Sequence, residues 1–373
     1  MDYNLNFNFE DNNTNYLTHS IHPYPAKFPP QIPNNILLKF ANDGDVVLDP
    51  FCGSGTTLVE ARLLGYNSIG VDVNGLSTLL SKVKATPLSS EEIEQSVHFI
   101  NCIEDNRELW SIDRPSIHVK QIEGLDHWFQ FNVAEELTFL LDRINTIDNG
   151  NVRDFLRIVV SSIIVKVSNQ ESDTRFAASN KNIPDLFTFD LFITRSKKYL
   201  KLIQEFSRKI NKKSTLTLYN ADSRNLAMLE SESIDLIITS PPYANTYDYY
   251  LYHKFRKRWL DIDVKFAQNN EIGSRREFSS LKHPADQWTK DLLLCVREMH
   301  RLLKPNKHAF LVIGDSIINK KLIKIDEIIQ DMAPIVGFHV CNIISESLSK
   351  HSRMFNPSFT QNNKMEHLII LKK

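Results

Sequence analysis

The chain predicts an α/β fold: a mostly parallel sheet with helices on both faces, interrupted by a helical insertion. Strand-length apolar runs alternate with helix-length stretches at both ends of the chain, the pattern of βαβ units. A Gly-rich turn follows the first apolar run. The middle of the chain carries only apolar spacing near 3.6 residues.

The elements follow in order. Residues 1–19 are polar and read as a flexible N-terminal lead. Residues 20–88 begin the main domain. There Val46 to Asp49 is a buried strand, Pro50 to Gly55 the turn, and Thr56 to Arg62 the start of a helix. The chain has eleven glycines in 373 residues, well under the usual ~7%. Six of them (Gly44, Gly53, Gly55, Gly65, Gly70, Gly75) crowd this stretch, as expected where a ligand approaches the backbone. A second strand, Ser68 to Val71, ends in Asp72, 19 residues after Gly53, a spacing that lets its carboxylate accept from ribose hydroxyls. Residues 89–213 form the insertion, with helices predicted over Glu91 to Ile103, Val133 to Ile144, Val152 to Val167 and Phe189 to Ile210. Asp148 to Asn151 reads as a turn, and Ser168 to Pro184 as a polar loop. Residues 214–373 complete the domain, with strands expected over Ser214 to Tyr219, Ile234 to Thr239, Ala309 to Ile313, Gly337 to Ile344 and Glu366 to Leu371. The last of these reads as part of an antiparallel edge hairpin.

The chemistry concentrates at Ser240-Pro241-Pro242-Tyr243, directly after the run Ile234 to Thr239. Two prolines lock φ and donate no hydrogen bond, so the strand must stop there. What remains is a stiff hook: the Ser240 side chain and the Pro241 carbonyl as acceptors beside the flat ring of Tyr243. Such a hook suits a planar aromatic amine, whose two N–H groups meet two acceptors while its face stacks on the ring. The Gly-rich turn implies a nucleoside-type cofactor. A third turn glycine is missing, since position 58 is leucine, and no Gly-Lys-[Ser/Thr] phosphate motif follows. Asp49 before the turn would repel a pyrophosphate but suits the ammonium of a methionine moiety. S-adenosyl-L-methionine fits better than a dinucleotide.

These segments resemble the DNA amino-methyltransferase family. Asp49-Pro50-Phe51-Cys52-Gly53-Ser54-Gly55-Thr56-Thr57 is similar to the family's cofactor motif, and Ser240-Pro241-Pro242-Tyr243 to its catalytic motif. His22 to Phe28 resembles the N-terminal segment closing over the methionine end of the cofactor, and Asn220-Ala221-Asp222 the acidic strand tip that touches the adenine amine. Arg301 to Pro305 with the strand after it resembles a later core strand. The resemblance implies a Rossmann-like methyltransferase sheet over 20–88 and 214–373. It implies catalytic roles for Ser240, Pro241, Pro242 and Tyr243, and cofactor contacts from Lys27, Phe28, Asp49, Pro50, Phe51, Gly53, Gly55, Thr56, Asp72 and Asp222. Each has a plainer reading: Asp49 as a helix cap, Asp72 and Asp222 as turn residues, Lys27 as a surface residue, Phe28 as core. Serine at the first catalytic position is typical of members that methylate cytosine at N4, and some members acting on adenine N6 also carry it. An RNA N-methyltransferase is the alternative outside DNA. The implied partners are double-stranded DNA and a separately acting cognate restriction endonuclease.

Composition limits other classes. Four cysteines without Cys-x-x-Cys spacing argue against a zinc site or disulfide framework, and no metal is expected. The most apolar stretch, Phe155 to Val167, carries Arg157 and Lys166 and is too short to span a bilayer, and the N-terminus has no signal pattern, so a cytoplasmic protein is expected. A net charge of −1 does not announce nucleic-acid binding. Local clusters do: His253 to Trp259, with Lys254, Arg256 and Arg258 as candidate phosphate contacts, and smaller groups at 195–201, Arg275-Arg276 and Lys320-Lys321-Lys324. The competing reading makes each a solvated helix face. Base reading is assigned to the insertion, with Arg175 or Asn180 as readers, against a competing segment at 260–290.

Overall fold

A computed structural model describes residues 3–373 apart from 4, 8, 10–12, 113–116, 174, 212, 246–247, 275–283, 319–320 and 348–363. A 3-10 turn (Leu17–Ser20) precedes α1 (Gln31–Phe40), β1 (Val46–Asp49), α2 (Thr56–Leu64), β2 (Asn67–Asp72) and α3 (Gly75–Ala85). The helical stretch comprises α4 (Ser90–Ile112), α5 (Leu125–Trp128), α6 (Phe131–Asn145), α7 (Gly150–Val167), the hairpin β3 (Gln170–Ser172) and β4 (Arg175–Ala178), and α8 (Phe187–Lys209). Then come β5 (Leu216–Asn220), β6 (Ile234–Thr239), α9 (Tyr249–Tyr252), α10 (Lys254–Trp259), α11 (Val264–Asn270) and α12 (Pro284–Leu302). The chain closes with β7 (Leu303–Gly314), the small hairpin β8 (Ser316–Ile318) and β9 (Lys321–Ile323), α13 (Ile325–Val336), β10 (His339–Ser347) and β11 (Met365–Lys372).

Seven strands form one sheet in the order β10-β11-β7-β6-β1-β2-β5. β1 pairs in parallel with β2 and β6, β2 with β5, and β6 with β7, while β11 runs antiparallel to both β7 and β10. All six residues of β6 are buried, as a central strand covered by helices on both faces requires. Its one charge, Asp235, accepts from Val46 N at 3.1 Å and from Lys304 at 2.8 Å. From β1 the chain proceeds to β2 and β5 on one side and returns to β6 on the other. Ligands of open α/β sheets bind at this switch point, beyond the carboxyl ends of the strands. Asp49, Asp72 and Thr239 end the strands that meet there. The α/β sheet read from the sequence is thus present with the expected strand alternation.

Helices α4 to α8 share one apolar core with the sheet domain, contributed by Leu76 and Leu80 of α3 and Phe255 and Trp259 of α10. α7 is buried on nearly all sides, and each large apolar side chain it hides contributes roughly 1.5–3 kcal/mol. Its long apolar run therefore belongs to the core. Among the described residues no helix is long and apolar enough to cross a membrane.

Three local expectations are corrected. The segment read as a turn at 148–151 starts α7, because the Asn149 side chain accepts from Asn151 N and Val152 N and so caps the helix. The expected loop Ser168 to Pro184 contains the β3–β4 hairpin, held by Phe176 against Trp128 and Phe255 at ring distances of 4.6 and 5.4 Å. β7 starts at Leu303, ahead of the expected Ala309, with a register irregularity opposite Ile234 and Leu236.

Candidate active site

The turn after β1 is set by backbone geometry before any ligand is considered. Gly53 and Gly55 lie at φ +48° and +79°, where a side chain is strained. A Cβ on Gly55 would approach the Ser81 backbone to 3.0 Å. Asp72 folds the turn over itself: one carboxylate oxygen accepts from Gly53 N at 2.9 Å and the other from Asn74 N at 2.8 Å. Burial pushes Asp72 up to about 6, opposed by those two backbone donors.

One cavity collects most of the predicted residues. Phe51, Gly53, Thr56 and Asp72 line it from the first two strands, and Asp222 from the segment after β5. Lys27 and Phe28 come from the N-terminal segment, and Ser240, Pro241, Pro242 and Tyr243 from the turn after β6. Asp49, Pro50 and Gly55 are not among its lining residues. Asp49 is buried behind the turn, where its carboxylate accepts from the Thr239 hydroxyl at 2.6 Å and from Phe51 N at 3.1 Å. Burial pushes it up to about 6 as well. Through these bonds Asp49 joins β1 and β6 beneath the turn. The Pro50 carbonyl accepts from Ser223.

The hook is braced from distant parts of the chain. Trp288 Nε1 on α12 donates to the Pro242 carbonyl at 3.1 Å, and Tyr243 Oη donates to Glu366 Oε1 on β11 at 2.7 Å. Neither brace is adjacent in sequence, so local pattern reading missed both. Also missed was Arg224, which grips Asp222 with Nε at 3.0 Å and Nη2 at 2.7 Å and reaches Asp291 at 2.9 Å. Asp222 reaches the cavity wall already in an ion pair.

A lid of aromatic residues completes the wall. Tyr24 packs over Gly53, stacks on Tyr249 and His253 at 5.8 and 5.1 Å, and bonds Ser77 through its hydroxyl at 2.9 Å. Tyr249, Tyr250, Asn270 and Glu271 line the same cavity and were not anticipated. Glu271 accepts from Tyr250 N at 3.3 Å and is pushed by burial up to about 8. A carboxyl whose folded pKa exceeds its unfolded value contributes stability at low pH and loses it as pH rises through the folded pKa. In urea unfolding, the stability of wild type relative to Glu271→Gln is therefore expected to fall between about pH 5 and pH 8, and a flat difference would show that the burial does not act.

The expected DNA-contacting cations fare differently. Arg256 is completely buried; its Nε donates to the Ser161 carbonyl at 3.0 Å, Nη1 to the Tyr252 carbonyl at 3.3 Å, and Nη2 pairs with Asp173. This corrects its assignment as a phosphate contact, because a desolvated guanidinium with filled donors cannot turn outward. The aromatics interleaved with it, Phe255 and Trp259, are core residues. Lys254 and Arg258 both face Glu123, leaving their side chains 19% and 15% exposed. Lys257 is buried with its Nζ 5.3 Å from the Tyr250 ring centre, and desolvation lowers it to about 8. Arg175 on the hairpin is 70% exposed and pairs with Glu171 at 2.8 Å. Arg275, Arg276 and Lys320 lie outside the described residues.

A Rossmann-like sheet with a Gly-turn cradle, an acidic strand tip and a proline-stiffened hook facing one cavity defines the class: a methyltransferase. The N6_N4_Mtase model, of DNA methylases, matches residues 4–75 and 234–373, more than half of the chain, and the protein belongs to this family. Its methyl donor is S-adenosyl-L-methionine, and its substrate is DNA. The positive-φ glycines, the carboxylate of Asp72 and the surrounding aromatic rings suit close backbone approach, the ribose hydroxyls and the adenine ring of that donor. The chain is 25% identical to the type II methyltransferase M.MvaI of Kocuria varians, with 89% of this chain and 84% of that one covered. It is 24% identical to the type II methyltransferase M.MjaII of Methanocaldococcus jannaschii, covering 84% and 75%. Among solved structures, a SAM-dependent methyltransferase from Methanosarcina mazei is 10% identical with a TM-score of 0.34, covering 91% of this chain and 96% of that one.

Proposed function

We propose that the protein is a sequence-specific methyltransferase acting on the exocyclic amine of a base flipped out of double-stranded DNA, with cytosine N4 as the target. The observation that carries this reading is the presence of the Ser240–Tyr243 hook and the Gly53–Asp72 cradle in one cavity. A base inside a duplex cannot present its amine to that cavity, so flipping is required, at a cost of a few kcal/mol. Stacking on Tyr243 offsets about 1–3 kcal/mol of it. The bound donor supplies an electrophilic methyl on a sulfonium. The protein's own part is positioning. The Ser240 hydroxyl and Pro241 carbonyl accept the two amine protons and favour a pyramidal nitrogen whose lone pair is aimed at that methyl. The Pro242 carbonyl, occupied by Trp288, does not compete. Serine at the first hook position supports cytosine, through the family resemblance.

The helical insertion over 89–213 is proposed as the target-reading region, with the exposed Arg175 on its hairpin as a candidate base contact and Lys254 and Arg258 released from Glu123 toward phosphate. A place in the cytoplasm is part of the proposal, and the type II names of the relatives support a separately acting restriction endonuclease beside it. Incubation with tritiated S-adenosyl-L-methionine and either duplex DNA or tRNA tests the reading. Label is expected in DNA; label in RNA alone, or in neither, overturns it.

A further inference from the structure

Resting on that reading, we propose that Ser240, Tyr243 and Glu366 form the exit route for the proton the amine must shed, with Glu366 as the terminal acceptor. Tyr243 Oη donates to Glu366 Oε1 at 2.7 Å, a contact between the turn after β6 and β11. Glu366 sits opposite Gly314 in the sheet, a neighbour without a side chain. It is half-buried, so a proton delivered there can leave to solvent. At the other end, Ser240 and Tyr243 line the same cavity, and the relay requires the Ser240 hydroxyl to donate to the Tyr243 phenol. Burial and the Glu366 carboxylate hold that phenol protonated far above its ordinary range. Tyr243 is therefore no base. It passes a proton by accepting one and giving one up.

The amine nitrogen forms the new N–CH₃ bond, and the donor sulfur keeps the electron pair of the broken S–CH₃ bond. The nitrogen then holds one proton too many. That proton passes to Ser240 Oγ, the Ser240 proton to Tyr243 Oη, and the Tyr243 proton to the Glu366 carboxylate, leaving serine and tyrosine unchanged. The hook has no other group able to keep a proton: proline carries no titratable side chain, and a carbonyl only accepts hydrogen bonds. Glu366 acts through Tyr243 and also orients its ring.

Glu366→Gln and Tyr243→Phe test the relay. The glutamine keeps an acceptor for the phenol but is not a base, and phenylalanine keeps the stacking ring but not the hydroxyl. Each is expected to slow single-turnover methyl transfer by about 10²-fold, the usual scale for proton-transfer catalysis. The double variant is expected to be no slower than either single one. The solvent deuterium isotope effect on wild type should be lost in both singles, and donor binding by calorimetry should stay at the wild-type level. Wild-type rates in both variants, additive losses, or an unchanged isotope effect overturn the relay. Those outcomes leave amine methylation by the wild-type protein intact, whereas failure of wild type to label any DNA amine overturns the functional reading itself.

Discussion

Arg256→Ala is expected to destabilise the protein by about 3 kcal/mol or more, the scale for removing one member of a buried ion pair. The guanidinium is wholly enclosed and bonds the Ser161 and Tyr252 carbonyls as well as Asp173. Truncation leaves two carbonyls and a partly buried carboxylate without their donor, together with a cavity between α7 and α10. Asp173 is 34% exposed, so water recovers part of its loss and holds the effect toward the lower end. Arg256→Lys should rescue little, since an ammonium cannot supply the planar fork that spans these acceptors. Urea unfolding measures both. Near-native stability combined with weaker DNA binding and a salt slope reduced by about one would return Arg256 to the phosphate-contacting role.

Ser240→Ala carries the largest expected loss of activity. It removes one of the two acceptors that hold the amine, and groups aimed at a reacting centre in this way typically contribute about 10²–10³-fold to rate. Donor binding should survive, because the cradle is built on Gly53, Asp72 and Asn74 rather than on the hook. A single-turnover assay beside calorimetric titration with the donor separates the two. Loss of donor affinity, or a full rate of transfer, would contradict the division of labour between cradle and hook.

The strands and the site motifs were legible because they are local. β6 reads as six consecutive strand residues ended by prolines, and the Gly turn with Asp72 at its fixed distance reads as a ligand cradle. Their convergence followed from the topology, which places both at the carboxyl edge beside β1. What escaped was long-range. Trp288 and Glu366 reach the site across 46 and 123 residues of chain in their contacts with Pro242 and Tyr243, and Arg224, beside Asp222 in sequence, is tied to Asp291 67 residues away. The stretch 253–259 misled because cations interleaved with aromatics read as a nucleic-acid surface. A six-residue helix wedged between α7 and the hairpin instead buries Phe255, Arg256, Lys257 and Trp259 together. Burial of a charge is invisible to composition when its partner, here Asp173, lies 83 residues away.

The most direct test of the account is the identity of the methylated nucleoside. Duplex DNA incubated with the protein and S-adenosyl-L-methionine is digested enzymatically and its nucleosides are resolved by mass spectrometry. The prediction is N4-methylcytosine, present with wild type and strongly reduced with Ser240→Ala. N6-methyladenine would change the base while keeping the hook's grip on an exocyclic amine; 5-methylcytosine, a ring-carbon product that this hook has no means to make, would contradict the account.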